Sequence, residues 1–155
     1  MARPARVTSR SIILADTGAL YALIDASDSW HASVVAWWSH DPLGLRDIRV
    51  PVTVLPELSY LLSTRLSPDA EIAFTDAVAA GEFVVEPLDD DDIVRSADIM
   101  RQYRDLPLGF VDASLVAIAE RLDAREILTT DRRHFGIVRP QHIRSFAIRL
   151  EQSRQ

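Results

Sequence analysis

Short apolar runs alternate with longer segments of helical periodicity along the whole chain. Ile12–Ala15 is an unbroken apolar stretch between Ser11 and Asp16. Runs of this kind belong to strands covered on both faces, as in parallel sheets. The same reading predicts strands at Ile48–Val52, Phe83–Glu86, Glu126–Thr129 and Phe146–Leu150. Between them the pattern predicts helices over Thr17–Ile24, Ser29–Ser39, Val54–Arg65, Pro68–Ala80, Asp89–Tyr103 and Val111–Leu122. Val34, Val35, Trp37 and Trp38 give the second of these an apolar stripe, and Ser67-Pro68 opens the fourth with a cap and a proline at the first helical position. Strands alternating with helices predict an α/β fold around a parallel or mostly parallel sheet of about five strands, with right-handed crossovers.

With 155 residues the chain is expected to form one domain over residues 12–150, preceded by a mobile arm at 1–11 and followed by a short tail at 151–155. Arg3, Arg6 and Arg10 ahead of apolar residues resemble the start of a secretory signal, but Asp16 interrupts the apolar region too early. No run approaches the roughly 18 apolar residues of a membrane span. The expectation is a soluble, cytoplasmic protein.

Composition removes several chemistries. There is no cysteine, which excludes a thiol nucleophile, a disulfide framework and a Cys-based zinc site. All 17 basic residues are Arg, and neither Lys nor Asn occurs. A Walker-type phosphate loop and Schiff-base chemistry both need a Lys and are therefore excluded. The four His residues, at 31, 40, 134 and 142, form no zinc pattern.

In open parallel sheets ligands bind beyond the carboxyl ends of the strands. Asp16 follows the first predicted strand, Glu57 opens the helix after the second, and Asp131 follows the fourth. Asp112 lies in the first turn of the Val111 helix. Each has an ordinary explanation, since acids in a first turn complement the helix dipole. Together, at one sheet edge, they would repel unless a cation sat between them, and hard divalent ions prefer oxygen ligands. A Mg²⁺ or Mn²⁺ ion held there would polarise a phosphodiester and generate hydroxide near neutral pH.

These residues resemble those of PIN-domain ribonucleases, and within them the toxin subunits of VapBC toxin–antitoxin modules. The similarity is carried by "LADTGALYALID" with Asp28 and His31, by "VTVLPELSYLL", and most specifically by "DLPLGFVDASLVAIAERLDAREILTTDRRHFGIVRP". The resemblance implies a PIN-like α/β/α sandwich and a Mg²⁺- or Mn²⁺-dependent endoribonuclease. Its acidic site would be Asp16, Glu57, Asp112 and Asp131, with Asp16 and Asp112 holding the ion and Glu57 and Asp131 acting directly or through water. Thr17 and Thr130 would support the site. A metal-activated water would then hydrolyse the phosphodiester of an RNA, tRNA or another structured RNA among the candidates. The resemblance also implies a homodimer neutralised by a VapB-like antitoxin.

"DDDD" at 89–92 reads as the capped start of a helix. Arg132 and Arg133 are candidates to hold an RNA phosphate, with His31 a weaker one on the substrate side. The three tryptophans at helical spacing favour core or dimer packing over base stacking. A net charge of −6 argues against general nucleic-acid affinity and leaves recognition to the ion and a local Arg patch. The alternative to the enzyme is a non-catalytic PIN-like scaffold that binds protein or RNA. A phosphatase of another α/β family fits less well, lacking a Lys and an Asp-x-Asp after the first strand.

Overall fold

A computed structural model describes residues 9–150. The expected arm at 1–11 and tail at 151–155 therefore lie almost wholly outside the described residues. Ser9, Arg10 and Ser11 are described, and Ser11 pairs with Arg46 and belongs to the first strand.

Five strands, β1 (Ser11–Ala15), β2 (Arg46–Pro51), β3 (Val84–Glu86), β4 (Glu126–Leu128) and β5 (Ala147–Ile148), form one sheet in the order β3-β2-β1-β4-β5. Every pairing is parallel. The helices are α1 (Thr17–Ile24), α2 (His31–Ser39), α3 (Val54–Arg65), α4 (Pro68–Ala79), α5 (Asp90–Gln102), α6 (Phe110–Leu122) and α7 (Arg132–Ile137). Six were predicted; α7 was not, because six residues are too few for a periodic signal.

The sheet separates two apolar cores, and alternate β1 residues face opposite ways. Ile13 and Ala15 join α1, α2, α3 and α4 on one side, where Trp30, Trp37 and Trp38 pack as partly buried residues. Leu14 joins α5, α6 and α7 on the other. This explains the unbroken apolar run in β1, and it makes the architecture an α/β/α sandwich.

α6 is the most deeply set helix. All seven residues from Ala113 to Ala119 are buried, as expected for a helix apolar on all sides. Its first turn therefore reaches the sheet edge at a fixed height. The acids at 89–92 open α5 through a capping box between Asp89 and Asp92. Asp92 is buried and, with Glu86, faces the Arg121 guanidinium. These acids are thus structural, and they lie apart from the strand-end carboxylates described next.

Candidate active site

The strand order reverses at β1. Successive strands run outward through β2 and β3, then continue on the other side with β4 and β5. The crevice at such a switch point, beyond the carboxyl ends, is where open α/β sheets bind ligands. The Asp16 amide donates to the Leu128 carbonyl at 3.0 Å, so the ends of β1 and β4 are joined immediately below that crevice.

Asp16 is the N-cap of α1, its Oδ1 accepting from the Ala19 amide at 2.8 Å. Its Oδ2 accepts from the Thr129 hydroxyl. Capping thus occupies one oxygen of a carboxylate that is itself buried. Burial pushes its pKa up to about 7, against the two hydrogen bonds, and nearby Asp112 and Asp131 push in the same direction.

Asp131 is the N-cap of α7 and accepts from the His134 amide at 3.1 Å. Its own amide donates to Thr129 Oγ1 at 2.8 Å. His134 Nδ1 lies 2.9 Å from Asp131 Oδ2 and 3.6 Å from Asp112 Oδ2. Neither approach is aligned as a hydrogen bond, so this buried nitrogen makes close polar contact with both acids. Asp112 occupies the first turn of α6, and burial raises its pKa to about 6. His134 opposes that shift, while Asp131 and Glu57 add to it. A continuous chain of contacts therefore runs Asp16–Thr129–Asp131–His134–Asp112.

Glu57 stands apart from this chain. It is exposed in the first turn of α3 and is felt by Asp112 through charge alone. The start of α3 is tied to α6 by Thr53 Oγ1 and Ser114 Oγ, 2.7 Å apart. Glu57 thus borders the site.

The supporting residues lie around these acids and beyond them. The hydroxyl that touches Asp16 belongs to Thr129, whereas Thr17 Oγ1 is buried with no partner among the described residues. Thr130 packs over Gly18, where a Cβ would come within 2.6 Å of its Oγ1. His31 Nδ1 lies 2.7 Å from the Ala22 carbonyl and ties α2 to α1. Arg132 donates to the Leu150 carbonyl. Arg133 is exposed and makes no ion pair or hydrogen bond among the described residues. Sequence reading missed Thr129 and His134; their signal was the "TTDRRHF" stretch, which places polar side chains two residues before and three after Asp131.

Among the described residues no three Asp, Glu or His side chains stand close enough to hold one ion by themselves. The acids meet instead through Thr129 and His134. Their chemistry still fits a hard cation, because Mg²⁺ is commonly held by one or two carboxylates with waters completing its shell. Asp16 and Asp112, whose ionised forms burial disfavours, are the groups a cation would stabilise most.

A parallel α/β sandwich with acids gathered at its switch point is an architecture whose crevice suits metal ions and phosphate esters. The PIN domain model matches residues 13–139, and the chain belongs to the PIN domain family. Ribonuclease VapC26 of Mycobacterium tuberculosis is 37% identical over 128 residues, covering 83% of this chain and 93% of that protein. Among solved structures, Mycobacterium tuberculosis VapC20, described as a sarcin–ricin loop cleaving toxin, superposes with a TM-score of 0.73. Identity there is 20%, over 85% of this chain and 98% of that one. DNA-bound VapBC from Salmonella typhimurium gives a TM-score of 0.61 at 18% identity, over 90% of this chain and 98% of that one. At these identities the two structures speak for the fold. No helix among the described residues is long and apolar enough to cross a membrane.

Proposed function

We propose that this chain is a divalent-metal-dependent endoribonuclease, the toxin of a type II toxin–antitoxin module. The observation that carries the reading is the joined set Asp16, Asp112 and Asp131 at the switch point of a PIN-domain sheet. The 37% identity to Ribonuclease VapC26 supports RNA as the substrate. Asp16 and Asp112 would hold Mg²⁺ or Mn²⁺, with Asp131 and Glu57 completing the site directly or through water. The bound ion would supply Lewis-acid polarisation of the phosphodiester and a nucleophile at neutral pH. The chain's own part is to fix the acids: β1 delivers Asp16 rigidly, and α6 delivers Asp112 from a buried helix.

Arg133 is exposed two residues after Asp131, and its planar guanidinium suits bidentate contact with a phosphate. With a net charge of −6, recognition depends on such local groups and on RNA shape. Structural relatives solved as VapBC complexes support a VapB-like antitoxin as partner. A homodimer acting in the cytoplasm completes the reading.

Purified free of antitoxin, the protein is expected to cleave RNA with Mg²⁺ or Mn²⁺, to stop in EDTA, and to lose about 100-fold or more in rate on Asp112→Asn. Undiminished cleavage by that variant would overturn the assignment. A non-catalytic scaffold would show neither cleavage nor Mn²⁺ uptake.

A further inference from the structure

His134 has no place in the four-carboxylate reading, yet it is the side chain that joins two of those acids. Asp131 caps a six-residue helix, and its side chain is 40% exposed. Its Oδ1 is held by the backbone amide of residue 134, a contact that any residue there provides. Its Oδ2 lies 2.9 Å from His134 Nδ1, and the same nitrogen lies 3.6 Å from Asp112 Oδ2. A bare lone pair on Nδ1 would face two carboxylate oxygens repulsively, so the tautomer with a proton on Nδ1 is the one that makes these contacts attractive.

We propose that His134 is a positioning residue: the close polar contact of its Nδ1 with both acids holds the Asp131 carboxylate beside Asp112 and so sets the spacing at which the two meet a divalent cation. This rests on the metal-dependent reading above. Without the contact, like charges on α6 and α7 would push the exposed Asp131 outward into solvent. Groups that orient ligating carboxylates commonly change metal affinity by about 10- to 100-fold when removed.

The side-chain geometry supplies the test. Asn at 134 places an amide donor near the Nδ1 position, whereas Gln reaches toward the Nε2 position and Ala supplies neither. Mn²⁺ binding by calorimetry, with kcat on RNA at saturating Mn²⁺, is measured for the wild type and the three variants. His134→Ala and His134→Gln are expected to weaken Mn²⁺ binding by about tenfold or more, while His134→Asn stays within about threefold of the wild type. If the Ala variant does not fold, the contrast between the two amide variants decides. Equal Mn²⁺ affinity in wild type and variants overturns the role of His134 and leaves the metal site standing. A loss in His134→Asn as deep as in His134→Gln overturns the assignment to Nδ1. A wild type that takes up no Mn²⁺ overturns the metal reading and this proposal with it.

Discussion

Thr129 donates its hydroxyl to Asp16 Oδ2 and accepts from the Asp131 amide at 2.8 Å, so one side chain just past β4 holds the acids of two different loops. Thr129→Val keeps the shape and removes both bonds. A buried carboxylate oxygen left without its donor costs about 1–3 kcal/mol, or roughly 2–4 °C of melting temperature per kcal/mol at this chain length. Thr129→Ser, which keeps the hydroxyl, should recover most of the loss. Equal melting temperatures for the Val variant and the wild type would show that the hydroxyl carries no weight.

The raised pKa values of Asp16, about 7, and Asp112, about 6, set the direction of pH dependence. Both lie above the ordinary carboxyl value of 3.8, so between these limits the folded chain binds protons that the unfolded chain does not. In EDTA, stability should therefore be greatest at the acid end of this window and fall as pH rises through about 6 and about 7. Saturating Mn²⁺ should reverse the trend, because ligation requires the deprotonated acids. Thermal melts across about pH 5 to 8 check both slopes, and Asp112→Asn should flatten the slope in EDTA. A melting temperature in EDTA that climbs steadily over that range would contradict the burial of these acids.

Gly18 and Thr130 are coupled by space. A Cβ on Gly18 would sit 2.6 Å from Thr130 Oγ1 and 3.7 Å from Asp16 Oδ1, so Thr130 has to rotate away. Gly18→Ala is expected to cost about 1–3 kcal/mol. Adding Thr130→Ala removes the obstructing oxygen, and the double variant should be more stable than the sum of the single effects by about 0.5 kcal/mol or more. Strict additivity in a double-mutant cycle would rule out the contact.

Arg121 gathers the acids that open α5. Its guanidinium meets Asp92 at 3.0 Å and Glu86 at 3.1 Å, and both carboxylates are buried. Arg121→Met leaves buried Asp92 without its cation, while Glu86 keeps Arg49 at 2.9 Å, and should cost about 3 kcal/mol with Mn²⁺ affinity below the melting transition unchanged. Weakened Mn²⁺ binding in that variant, with the fold intact, would place these acids in the metal's neighbourhood instead.

Much of this architecture was legible beforehand because it rests on local signals. The apolar run Ile12–Ala15 reports a strand covered on both faces, and the fold places Ile13 in one core and Leu14 in the other. Ser67-Pro68 opens α4, and the Ser67 hydroxyl accepts from the Ala70 amide as an N-cap should. Helix α7 was illegible: it is one short turn whose stability comes from Asp131 capping it and from buried Phe135 beneath it.

The sequence alone determined which acids follow the strands, since strand ends and first turns are set by nearby residues. It also determined the family, through stretches that keep their order along the chain. Only the tertiary structure decided how those acids are joined. Asp16 and Thr129 lie 113 residues apart, and they meet because β1 and β4 pair at the switch point. His134 was unremarkable as a letter three places after Asp131. It becomes a bridge because α7 turns its ring toward α6, and no periodicity encodes where two helices from different crossovers will face each other.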